Sequence, residues 1–367
     1  MPRISFVRLL SILALTFGAS PLSASTITYA MGDCRPNLAS FSTIGEALGG
    51  VPSPNVVVVC PGTYNEQVQI TQPVTLEGVS SGDSAQAIIA PPAGGLVVND
   101  VGDQVAAQIW VNNVTSGVVN ISNLTVDASG NGVPVGPSVV GIFYESANGT
   151  VNRVAIRNQR GNGTGIGIWE GAVSQFSTVT IENCSIHDYD DIGILLQNNT
   201  GDPQLPVVTG LIKGNEVTSS QYPNNSYGIA IGNGGQTTIT NNLLVNNGSY
   251  GIAALMGPDS ISGNTVVGSG TGIFVAGFDT VFTASATSNK IFGSNTGISV
   301  FSNLATVKSN TITNSTIGIE FQCTSSTVQF NTIMESGTAL DTVPTGLASP
   351  NTYFSVGTIR TGGGGNC

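Results

Sequence analysis

Apolar residues in this chain do not recur at helical spacing. Between residues 211 and 335 they recur in one short phrase, apolar-x-x-Asn-x-apolar, followed some residues later by Gly-Ile or a near relative. Ile212-Lys-Gly-Asn215-Glu-Val217, Ile261-Ser-Gly-Asn264-Thr-Val266 and Val328-Gln-Phe-Asn331-Thr-Ile333 are three instances, and others centre on Asn242, Asn289 and Asn310. Successive Asn are 27, 22, 25, 21 and 21 residues apart. Companion dipeptides include Gly228-Ile229, Gly251-Ile252, Gly272-Ile273, Gly297-Ile298 and Gly318-Ile319. Short strands at a period in the low twenties are the mark of a solenoid whose coils stack. The period predicts an all-β chain, a single-stranded right-handed parallel β-helix. Coils ~4.8 Å apart put identical residues above one another. A lone buried Asn is costly, but in a column each amide donates to the oxygen of the next. These Asn are therefore read as scaffold.

Carried upstream, the register makes Cys184, Val154 and Leu124 the inward residues, with steps of 30, 30 and 31 residues up to Asn215. Stacking fixes the coil perimeter, so the surplus must leave as loops, with candidates at residues 158–164, 188–191, 198–206 and 219–226. Loops gathered on one part of a solenoid wall a groove and tend to carry function. Near the start, Thr43-Ile44-Gly45-Glu46 has capping-box spacing, and Ile44, Ala47 and Leu48 give one apolar side before Gly49-Gly50. This short helix is expected to cap the open N-terminal strand edges. The expected organisation is a signal peptide at residues 1–24 and an N-terminal cap at 25–60. The β-helix follows at 61–345, then a C-terminal cap and Gly-rich tail at 346–367.

The leader has Arg3 and Arg8, an apolar stretch at residues 9–17, and Leu22-Ser23-Ala24 before the expected cut. That stretch is too short to span a bilayer, and no later one is longer, so a secreted, periplasmic or cell-surface protein is expected. Five Cys then meet an oxidising compartment. Cys34 with Cys60 and Cys323 with Cys367 are the expected pairs, although spacing alone does not fix connectivity. Cys184, in the inward column, reads as a buried thiol, with a reactive nucleophile as the alternative.

The repeats resemble the pectate-lyase-like right-handed parallel β-helix proteins. The entry region resembles pectin methylesterases and periplasmic β-helix proteins linked to copper delivery. The residues concerned are Phe41-Ser-Thr-Ile-Gly-Glu-Ala-Leu48, Pro61-Gly-Thr-Tyr-Asn-Glu66 and Val74-Thr-Leu-Glu-Gly78. The resemblance implies the fold and a sugar-handling class. Neither the esterase's Asp-bearing strands nor a His- and Met-rich copper site is present, for the chain has one His and four Met.

Composition sharpens this. With 48 Gly and 8% charged residues, the chain suits polar turns around apolar strands rather than disorder. Net charge is −11, and losing Arg3 and Arg8 would take it to −13. Such a surface repels nucleic acid and anionic membranes, and it favours neutral glycans unless Ca²⁺ bridges carboxylates. No other cofactor and no structural metal site is expected, and the chain is read as a monomer that partners polysaccharide.

Charges are scarce, so their clustering matters. Three residues past the inward column come Asp127, Arg157 and His187, expected to stack on one outer face. Asp190 and Asp191 follow, an adjacent pair that resembles the one in polygalacturonase-like enzymes, although the other motifs of those enzymes are absent. These five are the candidate catalytic residues, as acid, base or lyase proton acceptor. Glu145, Trp169, Glu170 and Tyr189 are the candidate substrate-binding residues, with Glu145 and Trp169 expected at equivalent positions in adjacent coils. The competing reading of the same charges is a cross-strand ladder with acidic turns. The functions left open are a polysaccharide lyase or glycoside hydrolase, a non-catalytic glycan-binding module, and a structural or adhesive solenoid.

A Cys34–Cys60 bond would restrain the unfolded chain by about 3 kcal/mol on the loop-entropy estimate. Reducing agent is therefore expected to lower Tm, and a peptide map of the oxidised protein that leaves Cys34 unpaired would overturn this.

Overall fold

The computed structural model describes residues 26–79, 86–160, 164–172, 176–198, 208–219, 226–232, 235–277, 283–302, 304–321, 326–342 and 350–361. The expected signal peptide, Cys323, Cys367 and residues 346–349 and 362–367 of the expected C-terminal cap lie outside them. So do most of the candidate loop residues at 198–206 and 219–226.

Each coil contributes three short strands to three parallel sheets of thirteen, twelve and twelve strands. One coil runs Ser177–Glu182, Ser185–His187 and Ile192–Asn198, and the next runs Val208–Lys213, Glu216–Thr218 and Tyr227–Gly232. We call the sheets first, second and third in that order. The sequence repeat is also the packing repeat. Ile181, Ile212, Ile239 and Ile261 align in the first sheet. Ile186, Val217, Leu244 and Val266 align in the second, and Ile194, Ile229, Ile252 and Ile273 in the third. All twelve are fully buried, so the core is a stack of like side chains along the axis.

The Asn column occupies the tight turn from first to second sheet. Asn264 Oδ1 accepts from the backbone N–H of Asn242 at 3.0 Å and from its Nδ2 at 2.9 Å. Asn264 Nδ2 donates to the Ile239 carbonyl at 2.9 Å and to Asn289 Oδ1 at 3.0 Å. Both amide protons and both oxygen lone pairs are thus engaged. The pattern repeats from Asn215 to Asn331 and continues to Asn351, whose Oδ1 accepts from Asn331. At the other end Asn215 Oδ1 accepts from the backbone N–H of Cys184 at 2.9 Å. There the ladder stops, and Cys184, Val154 and Leu124 fill the corner as expected. Cys184 is a buried free thiol, which burial pushes up to about 12.

The Gly of each Gly-Ile pair forms a second column. A Cβ on Gly272 would stand 2.6 Å from the carbonyl oxygen of Gly297 in the next coil, closer than any side chain tolerates. Gly228, Gly251, Gly297 and Gly318 meet the same obstacle, so the dipeptide marks a close backbone approach between coils.

The helix Ile44–Leu48 covers the N-terminal end, with the capping box between Thr43 and Glu46 formed. Glu66 adds to the cap, accepting from the backbone N–H of Ile44 at 2.9 Å and of Gly45 at 3.1 Å. Ile44, Ala47 and Leu48 lie on the core. A disulfide joins Cys34 to Cys60 across a Cα separation of 5.6 Å.

Replacing Asn264 with Ala would strand the Ile239 carbonyl and two donors of Asn242. Each buried unsatisfied group costs about 1–3 kcal/mol. Asn264→Ala is expected to lose about 3 kcal/mol or more in urea unfolding, whereas the outward Ser262→Ala should stay within about 0.5 kcal/mol.

Candidate functional site

Asp127, Arg157 and His187 are in register on the outer side of the second sheet. Arg157 Nε donates to Asp127 Oδ2 at 2.7 Å. Asp127 Oδ1 accepts from the backbone N–H and hydroxyl of Ser129 at 2.9 and 2.6 Å, and from Asn158 Nδ2 at 2.9 Å. Partial burial opposes ionisation of Asp127, but the donors from Ser129, Asn158 and Arg157 outweigh it and bring the carboxyl down to about 2. A second pair stands beside the first. Arg160 Nη2 donates to Asp188 Oδ1 at 2.9 Å, and His187 Nδ1 lies 2.7 Å from Asp188 Oδ2. These charges are saturated by one another. Asp127 stays ionised at any ordinary pH and has no proton to exchange.

The turn after His187 leads into the third sheet. Tyr189 points inward and is fully buried, its hydroxyl donating to Asn247 Oδ1, so it offers no face to an external sugar. Asp190 is nearly buried. Asp191, half-buried, is raised to about 6 by burial and by the neighbouring Asp190.

Three more expectations change in the third sheet. Glu145 and Trp169 are not equivalent: Trp169 aligns with Phe143, and Glu145 with Gly171. The doublet Gly165-Ile-Gly-Ile168 allows two registers, and the close-approach position belongs to Gly167 rather than Gly165. Glu170 aligns with Tyr144 and Leu196 and faces the core, where Ser177 Oγ donates to its Oε1 at 2.7 Å. Burial raises the Glu170 carboxyl well above the usual range, and its side chain is a core residue rather than a groove carboxylate. Trp169 does face outward, but it is only 8% exposed and packs on Phe143 with ring centroids 4.8 Å apart.

The outer face of the third sheet carries a feature the sequence reading missed. Tyr227, Tyr250, Phe274 and Phe301 form a continuous aromatic diagonal, with successive centroids 5.1, 5.2 and 5.6 Å apart. All four rings are partly exposed. An apolar patch of Phe143, Trp169, Leu195 and Ala230, with Trp110 and Tyr227 against it, extends the diagonal toward the N-terminus. Carboxyls flank the strip. Asp191 accepts the backbone N–H of Tyr227 on its own carbonyl at 2.7 Å, and the Tyr227 phenol is raised by burial, by Tyr250 and by Asp191. Glu145 accepts from Trp110 Nε1 at 2.9 Å and is raised by burial and by Asp100. The signal was available: the residue before each Gly-Ile and the one two after the Gly face outward, which picks out Tyr227, Tyr250 and Phe274.

Among the described residues no three His, Cys, Asp or Glu side chains converge as a metal cage, and no helix is long and apolar enough to cross a membrane.

Residues 107–266 and 172–333 match the family model for the right-handed beta helix region. The chain belongs to the right-handed beta helix family. No curated protein matches it by sequence. Solved structures of similar fold include the mannuronan C-5 epimerase A-module of Azotobacter vinelandii, at 14% identity and a TM-score of 0.51 over 88% of this chain and 91% of that one. An alginate lyase from Paenibacillus sp. matches at 15% identity and 0.53, over 93% and 99%. The catalytic domain of an alpha-1,3-glucanase in complex with nigerose matches at 13% and 0.59, over 91% of this chain but 66% of that one. At these identities the likeness is one of fold. In this beta helix, as in the architecture generally, activity has to be argued from the site.

Asp127 has its carboxyl depressed in the folded state, so its contribution to stability is present above about pH 4 and is lost as pH falls toward about 2. Asp127→Asn is expected to be less stable than the wild type at pH 7, and the two unfolding curves should converge as pH approaches 2. A gap that is constant with pH would assign the loss to packing instead.

Proposed function

We propose that this chain is an exported protein that holds a polysaccharide along the outer face of the third sheet and cleaves it with Asp191 as proton donor. The aromatic diagonal carries the reading. Tyr227, Tyr250, Phe274 and Phe301 put four partly exposed aromatic side chains in unbroken succession on the outer face of the third sheet. Aromatic rings bind the apolar faces of sugars, which a chain of repeating units presents at regular intervals. The acidic surface suits a neutral chain rather than a bare polyanion.

Asp191 stands at the edge of this strip. A carboxyl raised to about 6 is still protonated in mildly acidic solution, as a general acid requires. The family supports the reading by analogy, since the epimerase, lyase and glucanase of similar fold are named for polysaccharides. Export is supported by the leader-like residues 1–24 and the Cys34–Cys60 disulfide.

One observation favours a second reading, a glycan-binding module without turnover. Hydrolysis by paired carboxylates needs two groups of unequal acidity flanking one bond. Here Asp127 and Asp188 are committed to Arg157 and Arg160. Asp191 would then tune binding only.

A panel of neutral plant, algal and bacterial polysaccharides tests both. Tyr250→Ala is expected to weaken binding about tenfold, on the scale of one stacked ring. Asp191→Asn should keep binding but abolish product release, and wild-type turnover should fall as pH rises through about 6. Binding without turnover on every substrate would select the second reading. Full binding in Tyr250→Ala would remove the aromatic strip from both.

A further inference from the structure

On the other side of the coil, at the turn from first to second sheet, Arg35, Val58, Glu77, Gly78, Val79, Asn123 and Arg153 line a cleft of ≈ 300 Å³. A smaller hollow of ≈ 170 Å³ shares Asn123 and Arg153 as walls. The cleft is assembled from the cap and three successive coils. We infer that this cleft is a binding site for a small hydroxy-carboxylate, a sugar acid, separate from the aromatic strip of the third sheet.

The charges carry the inference. The whole sequence has ten basic residues against twenty-one acidic ones, so unpaired cations are scarce. Arg157 and Arg160 are bound to Asp127 and Asp188. Arg35 and Arg153 have no side-chain partner among the described residues, and both line this cleft. Two guanidiniums facing one hollow are the chemistry that grips a carboxylate or another oxyanion.

Glu77 narrows the choice. It lines the same cleft, and Asn123 Nδ2 donates to its Oε1 at 3.3 Å. A bare anion would be repelled by that carboxylate. A ligand with hydroxyls beside its acid group would donate to it.

The backbone supplies an independent sign. Arg153 has φ +54°, the left-handed conformation that Asn and Gly adopt readily and Arg does not. Other coils put Asn123, Asn183, Gly214, Asn241, Gly263, Ser288, Ser309 and Phe330 at this turn position. The two adjacent coils thus use Asn here, whereas Ser288, Ser309 and Phe330 hold the position further along, so the turn admits other side chains at a conformational cost that Arg153 also bears.

Direct titration of the oxidised full chain tests the site without reference to any polysaccharide activity, so its outcome stands apart from that of the third-sheet groove. Glucuronate is expected to bind saturably at one site, and glucose is not. Arg153→Asn, which restores the residue of adjacent coils, should leave Tm unchanged or higher yet weaken glucuronate about tenfold or more, as expected for loss of a charged hydrogen bond. Arg35→Gln should weaken it similarly. Glu77→Ala should weaken glucuronate but tighten acetate, since only the sugar acid uses the carboxylate as acceptor. Absence of saturable glucuronate binding, or undiminished binding in Arg153→Asn, would overturn the assignment. Phosphate binding as tight as glucuronate would overturn the sugar-acid identity.

Discussion

The buried amide column is the constraint on which the rest of this molecule depends. Each Asn from Asn242 to Asn331 engages both of its protons and both oxygen lone pairs on the coils above and below. An amide that is fully bonded in one register is unsatisfied in any other. Coils of unequal length are therefore pinned at one common point, and their surplus residues are expelled elsewhere on the perimeter. The Gly column complements this. It fixes where the third sheet bends against the next coil, since only a residue without Cβ permits that approach. Two fixed points per turn make every outward side chain between them fall into a row. The aromatic diagonal is a product of that rule.

Much of the architecture was legible because it repeats. The Asn phrase, the inward Cys184 and the capping box at Thr43 each rest on a local pattern with one physical solution. Register failed where the sequence offered two. Gly165-Ile-Gly-Ile168 contains the marker dipeptide twice, and the wrong choice rotates Glu145, Trp169 and Glu170 relative to the core. Tyr189 was misread for a related reason. The residues after His187 form a turn, and turns carry no alternation from which to infer a side. Asn351 continues the ladder, and Ala348-Ser-Pro-Asn351-Thr-Tyr353 fits the phrase in the same Ala-led form as the repeat at Asn289.

The candidate site was harder than the fold. Sequence reasoning gave weight to charge because charge is rare here, and it assembled the acids and bases of the second sheet. The ion pairs show why rarity misled: Arg157 and Arg160 neutralise the carboxylates that made the cluster attractive. The aromatic residues were passed over because single Tyr and Phe in a β-rich chain are unremarkable. Their meaning lies in the ring-to-ring contact of four of them along a diagonal across successive coils, which only the stacked structure makes plain.

The hydrogen bond from Tyr189 to Asn247 has a mechanical side. In a simple solenoid each coil feels only its immediate neighbours, so unfolding can begin at an end and proceed coil by coil. Tyr189 belongs to the coil of Cys184, and Asn247 to the coil after next. The bond bridges the intervening coil of Ser219 and acts as a through-bolt over three layers. It sits at the junction where the amide ladder gives way to apolar side chains, the natural fracture plane of the rod. Under tension or heating, the segment that carries Asp191, Tyr227 and Tyr250 should therefore let go as one block.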